Sequence, residues 1–132
     1  MNIPKCVMLL GWVATIIACK KDPGVGGNAR ISGTIQTNKY TPTFNLLISS
    51  YPGANEDVFI QYGDDQGISD KVSADYNGVF AFNYLYAGAY KIWVYSKDSA
   101  ATTNSGTLLI LKQVTIGKKE NLDLGTIAIA DN

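Results

Sequence analysis

Between Tyr51 and Tyr76 the chain concentrates Glu56, Asp57, Asp64, Asp65, Asp70 and Asp75, with Lys71 as the one cation among them. Carboxylates gathered in loops are what calcium needs, since it takes six to eight hard oxygen ligands. "GDDQGISD" could offer Asp64, Asp65 and Asp70, and a calcium ion is the one cofactor the sequence raises. The spacing does not follow the EF-hand loop, however, and acidic residues that connect strands are more commonly just solvated. Paired carboxylates also do acid and base work on glycosides at separations of about 5 to 9.5 Å. Glu56, Asp57, Asp64 and Asp65 are too ordinary as loop residues to point there.

A second group is aromatic. In "VFAFNYLYAGAYKIWVYS" the period-two alternation sets Tyr90, Ile92 and Val94 on one side of a strand and Lys91, Trp93 and Tyr95 on the other. The first set reads as core. If the second face is uncovered, Trp93 and Tyr95 with Lys91 and either Tyr84 or Tyr86 would form an exposed aromatic patch suited to a sugar or peptide partner. A second sheet, or the loop from Lys39 to Phe44, could equally cover it.

Some chemistry is absent. The chain has no histidine, so neither a Ser-His-Asp nor a Cys-His arrangement can be built, nor a conventional histidine-containing zinc site. Lysines plus arginines number 11 and so do aspartates plus glutamates. No net basic field exists to attract nucleic acid or anionic lipid.

The elements that must position these residues are strands. From Ala29 onward, short stretches rich in β-branched and aromatic residues alternate with turn residues, without helical periodicity. "RISGTIQ" alternates Ile31, Gly33 and Ile35 against its polar residues. "TFNLLIS" from Thr43 to Ser49 is a second candidate, followed by a type II turn at Pro52 and Gly53. "EDVFIQY" places Val58, Ile60 and Tyr62 on one side, "ISDKVSA" is weaker, and "DYNG" at Asp75 to Gly78 signals a hairpin turn. Phe80 and Phe82 share a face. "GTLLILKQVTI" and "NLDLGTIAIA" are expected to close the domain as a hairpin around "GKKE", with a bulge near Gly125 reconciling Leu122 and Leu124 with Ile127 and Ile129. The fold class is therefore all-β: a single antiparallel β-sandwich of about seven strands, of Greek-key type. Tyr90 is the candidate for a corner tyrosine whose hydroxyl bonds back to upstream backbone, or else a core aromatic with its hydroxyl at the rim.

Ahead of this domain, "MNIPKCVMLLGWVATIIAC" has one lysine and then an apolar run from Cys6 to Ala18, shorter than the roughly 20 residues of a spanning helix. It reads as a secretory leader over residues 1–18. Ile16, Ile17, Ala18 and Cys19 resemble the lipobox of bacterial lipoproteins, which implies cleavage before Cys19 and acylation of that cysteine. The resemblance also leaves no free thiol in the folded part, because Cys6 belongs to the leader. "KKDPGVGGN" to Asn28 reads as a flexible tether, which puts the sandwich at 29–130.

"GVFAFNYLYAGAYKIWVYSKD", with "ISGTI" and "VTIGKKENLDLGTIAI", is similar to the carboxypeptidase regulatory-like and transthyretin-like (prealbumin-like) sandwich domains, especially those of small Bacteroidetes lipoproteins, as is "CKKD". The resemblance implies an outer-membrane, lipid-anchored, non-enzymatic module for structure or protein interaction, on the cell surface or the periplasmic face. Its alternative is glycan or peptide recognition through Trp93, Tyr95, Lys91 and Tyr84, with calcium support. The partners expected are the membrane, through the lipid on Cys19, and a protein or a glycan, with no nucleic acid.

Overall fold

The structure is a computed structural model in which residues 21–132 are described. The leader and the lipidated cysteine expected at Cys19 lie outside the described residues. No helix among the described residues is long and apolar enough to cross a membrane.

Eight strands follow one another: β1 (Val25–Tyr40), β2 (Leu47–Pro52), β3 (Asp57–Tyr62), β4 (Asp70–Ser73), β5 (Val79–Leu85), β6 (Gly88–Lys97), β7 (Thr107–Ile116) and β8 (Asn121–Asp131). They form two sheets. In the first, long β1 is the centre: β8 runs along one side, while β5 and β2 share the other end to end, β5 against Val25–Thr34 and β2 against Gln36–Tyr40. The second sheet has the order β4-β3-β6-β7. All pairings are antiparallel except β1 with β8, which run parallel.

Alternation builds the core as the sequence leads one to expect. Ile31 and Ile35 of β1, Val58 and Ile60 of β3, Phe80 and Phe82 of β5, and Tyr90, Ile92 and Val94 of β6 are all buried between the sheets. Each such side chain contributes about 1.5–3 kcal/mol by leaving water. The bulge expected near Gly125 is present. Ser32 faces Asp123 but Thr34 faces Thr126, and Gly125 takes φ 75° with its N–H donated to Asp123 Oδ1 at 2.8 Å. The extra residue brings Ile127 and Ile129 round to the core.

Other expectations change. β7 and β8 are not a closing hairpin: β7 pairs with β6 and β8 with β1, so "GKKE" carries the chain from one sheet to the other. The "DYNG" turn does form, with Asp75 Oδ1 accepting the N–H groups of Asn77 and Val79, both at 2.9 Å. It joins β4 and β5, which belong to different sheets. β2 starts at Leu47, because Thr41 to Leu46 form the loop of the β1–β2 hairpin with Phe44 at φ 58°. The turn after β2 is centred two residues later than expected, on Ala54 and Asn55, and Asn55 rather than Gly53 takes the positive φ of 60°. Gly53 is used for close approach: a Cβ there would lie 2.4 Å from Ile35 Cγ2.

The segment read as a tether is also different. β1 begins at Val25, and Gly24 is fastened to the strand corner: its N–H donates to the Tyr90 hydroxyl at 2.8 Å and its carbonyl accepts the Tyr86 N–H at 2.8 Å. Tyr90 Oη in turn donates to the Tyr86 carbonyl at 2.7 Å. The corner role expected of Tyr90 is thus present, and it also seizes the incoming chain. Burial pushes the Tyr90 phenol above its ordinary value, and the Gly24 N–H partly offsets this.

Candidate functional site

The outer face of the second sheet is set by register. β6 pairs Trp93 with Phe59 of β3 and with Leu111 of β7, and Tyr95 with Leu109. These side chains therefore stand in adjacent rows on one surface. The Phe59 and Trp93 rings stack at 5.8 Å with planes 18° apart, and Tyr95 meets Phe59 edge-on at 5.5 Å. Tyr95 and Leu109 are each 48% exposed and Leu111 is 41% exposed. The next row is polar: Lys91 lies between Gln61 and Gln113.

The surface is an apolar platform with an amide and ammonium border. Aromatic and branched apolar groups this exposed cost solvation and mark contact surfaces. Phe59 packs against Trp93, which is half-buried. Among the described residues neither a further sheet nor the hairpin loop covers the platform; Tyr40 and Phe44 of that hairpin pack on each other instead, ring centroids 5.9 Å apart and planes tilted by 50°.

Trp93, Tyr95 and Lys91 thus come together as the sequence suggests, but Tyr84 does not join them. It lies on β5 in the other sheet, 71% exposed and at φ 58°. Phe59, Leu109 and Leu111 are the members that sequence reasoning missed. Their signal is the outward parity of β3 and β7, which becomes informative only once the cross-strand partners are known.

The carboxylates expected for calcium are not assembled into a site. Asp65 Oδ2 accepts from the Ser69 hydroxyl at 3.1 Å, and its carbonyl accepts from Gln61 Nε2. Asp70 Oδ1 accepts the Lys71 N–H at 2.7 Å. Among the described residues, no three histidine, cysteine, aspartate or glutamate side chains are grouped to hold a metal ion. Asp64 and Asp65 lie in the β3–β4 connection, where Asp65 ties down Ser69, and Asp70 opens β4.

Two concavities lie at opposite ends. One, of about 430 Å³, opens between the sheets near the β1–β2 hairpin and is lined by Thr37, Tyr51, Glu56, Lys97 and Asp131 among others. Lys97 Nζ pairs with Asp131 at 2.8 Å, whereas Glu56 has no cationic partner among the described residues. Burial, then the charges of Asp131 and Asp57, hold the Glu56 carboxyl above its ordinary value. A carboxyl raised in the fold contributes stability that is present below its unfolded value of about 4.3 and is lost as pH rises through the folded value. Glu56→Gln is therefore expected to raise the melting temperature at pH 7 and leave it unchanged at pH 3, as thermal melts at both pH values would show.

The other concavity, of about 830 Å³, lies at the end where the chain enters, between Lys21, Leu85, Tyr86, Ile116, Lys118 and Lys119. Lys21 Nζ stands 5.5 Å over the Tyr86 ring. At the far end the β6–β7 loop is organised by Asp98, whose carboxylate accepts the Thr103 N–H at 2.5 Å, the Ala100 N–H at 3.3 Å and the Thr102 hydroxyl at 3.1 Å. Burial raises the Asp98 carboxyl, but these donors outweigh it and leave the group below its ordinary value.

No protein-family model and no curated protein matches the chain. Among solved structures it is similar to a provisionally assigned carbohydrate-binding protein of Pseudomonas aeruginosa, at 16% identity and a TM-score of 0.44 over 86% of this chain and 93% of that one. It is also similar to part of a 9R-lipoxygenase of Cyanothece, at 16% identity and a TM-score of 0.38 over 76% of this chain and 16% of that one. Neither likeness bears on what this protein does.

Proposed function

We propose that the protein is a lipid-anchored, non-enzymatic binding module, held on the outer membrane through Cys19, that engages a protein or glycan partner through the outer face of its second sheet. The observation that carries the reading is the contiguity of Phe59, Trp93, Tyr95, Leu109 and Leu111 on a surface left open to solvent. Stacked rings beside a row of Gln61, Lys91 and Gln113 offer a flat apolar contact together with hydrogen-bond donors and acceptors. That combination suits the face of a sugar ring or an apolar peptide side chain. The lipobox resemblance supports the anchor, and the transthyretin-like resemblance supports an accessory module. The lack of histidine and the dispersal of the carboxylates favour binding over catalysis.

The test has two parts. Cys19→Ala should move the protein out of the membrane fraction; continued membrane association would refute the anchor. For the platform, a glycan array and crosslinking in outer-membrane extracts would find the partner, and the Trp93→Ala and Tyr95→Ala double variant would then be titrated against it. Truncating a central interface aromatic costs about 2 kcal/mol or more, so affinity should fall at least about thirtyfold with the melting temperature nearly unchanged. Unchanged affinity would discard the platform, and a collapsed melting temperature would make these residues part of the fold.

A further inference from the structure

The inward-facing rows of the sandwich change character at one end. On β1 the buried Ile31 and Ile35 are followed at the same parity by Thr37, on β6 Ile92 and Val94 by Ser96, and on β8 Ile127 and Ile129 by Asp131. Glu56 stands two residues ahead of the buried Val58 of β3, again in step with the core. Thr37, Ser96, Glu56 and Asp131 all line the cleft of about 430 Å³ that opens there. The space between the sheets, apolar through the core, thus turns polar at this mouth.

Two of these groups are engaged. Ser96 Oγ accepts the Ala130 N–H at 2.8 Å and donates to the Lys97 carbonyl at 3.0 Å. Asp131 Oδ1 accepts from Lys97 Nζ at 2.8 Å and from the Asn132 N–H at 2.9 Å, while its Oδ2 has no partner among the described residues. The other two are not engaged. Thr37 is only 4% exposed, yet its hydroxyl makes no hydrogen bond among the described residues. No buried side-chain oxygen or nitrogen there is both sealed from solvent and unpaired, so this hydroxyl opens on the cleft that Thr37 lines. The Glu56 side chain is half-buried beside Gly53, where an added Cβ would lie 3.3 Å from Glu56 Cγ. The neighbouring carboxylates have lysines, Lys97 for Asp131 at 2.8 Å and Lys71 for Asp57 at 3.9 Å; among the described residues Glu56 has none.

We propose that this cleft is a binding site for a primary ammonium group, which supplies the cation that Glu56 lacks and uses Asp131 Oδ2 and Thr37 Oγ1 as further acceptors. An ammonium brings three N–H donors and a compact charge, and three residues lining the cleft offer unengaged acceptors. A metal ion fits less well: calcium takes about six to eight oxygens, and among the described residues no three carboxylates are grouped to hold one. A neutral ligand would bury the Glu56 charge further without a counter-ion. The volume falls within the roughly 300–1,000 Å³ of small-ligand sites, enough for one sugar ring or the end of one long side chain. Two sources carry the group at that size, an amino sugar and the lysine side chain of a peptide. The cost that Glu56 imposes on the free fold has the same origin: burial and the charges of Asp131 and Asp57 raise its carboxyl, and a bound cation opposes the charge part.

The proposal rests on neither the anchor nor the aromatic platform. Its test is titration of the whole protein in detergent near neutral pH with glucosamine, with Nα-acetyl-lysine amide and with glucose, followed by NMR of the backbone amides. At millimolar ligand, resonances of Thr37, of residues 53–56 and of Asp131 are expected to shift with at least one of the two amines and to stay still with glucose. A response to glucosamine alone assigns the site to an amino sugar, one to the lysine derivative alone assigns it to a peptide, and equal responses show that the ammonium is the whole of what is recognised. Glu56→Gln should weaken binding at least about tenfold in a protein that its melting curve shows to be folded. Thr37→Val should weaken it severalfold, and Thr37→Ser should retain it. Trp93→Ala should bind as wild type does, so failure of the platform reads separately; Tyr95 is left intact because it lines the cleft as well. No shift with either amine, shifts confined to other residues, an equal response to glucose, or full affinity in Glu56→Gln would each overturn the proposal.

Discussion

Gly78→Ala is expected to destabilise the domain by about 2–4 kcal/mol, a large share of the roughly 5–15 kcal/mol that holds a domain folded. Gly78 sits at the seam where β5 gives way to β2 beside β1. Its carbonyl accepts the Ile35 N–H at 2.7 Å, and the Ile35 carbonyl accepts the Gly53 N–H at 2.8 Å. One β1 residue thus hands its two backbone groups to two different strands. Alanine at position 78 would place its Cβ 2.2 Å from the Ile35 oxygen, at a φ of 76°. The left-handed conformation costs a non-glycine residue about 1 kcal/mol or more, and forcing the backbones apart adds about 1–3 kcal/mol. Gly67 separates the two causes: its φ is 77°, but nothing lies within 4 Å of an added Cβ. Urea titration should give Gly67→Ala only the conformational cost and lower the Gly78→Ala midpoint much further. Equal losses would mean that the seam is not tightly packed.

Tyr90→Phe is the second large effect. It removes one oxygen and strands two backbone groups, the Gly24 N–H and the Tyr86 carbonyl, each left unsatisfied at about 1–3 kcal/mol where water cannot enter. A loss of about 2–4 kcal/mol is expected, with faster hydrogen exchange in Lys21–Asn28, since Gly24 then keeps only its carbonyl bond to the Tyr86 N–H. Tyr76→Phe, at a ring 91% exposed, should stay within about 0.5 kcal/mol of wild type. If Tyr90→Phe matches that control, the corner hydroxyl contributes nothing that water does not replace.

These two positions show where sequence reasoning succeeds and where it stops. Tyr90 was legible because its signals are local: alternation through Ile92 and Val94, and the "LYAGA" corner just before it. The Gly125 bulge was legible for the same reason, since a parity conflict within one strand has few remedies. Strand partners are not local. "VTIGKKENLDL" has the pattern of a hairpin, yet β8 lies beside β1, and nothing in those residues tells the two pairings apart. Phe59 and Leu111 came to flank Trp93 through the same nonlocal choice, and Tyr84 was lost from the group by it. Glycine misled in another way. "GVGG" reads as freedom, but a Cβ at Gly26 would meet the Tyr86 ring, and one at Gly27 would lie 2.2 Å from the Leu85 carbonyl. Both glycines are there because other groups come too close for a side chain.

The fastening of Gly24 also decides how the domain bears a load. Tension entering from the N-terminal side reaches Gly24 first and passes into β1 along its own axis. β1 is gripped on both flanks, by β8 on one and by β5 and β2 on the other. Its ladders therefore resist together, in shear, where a strand pulled sideways from an edge would unzip one bond at a time. The strand that the N-terminal segment enters is the one most widely bound within its sheet, and the domain is strongest against a pull on that end.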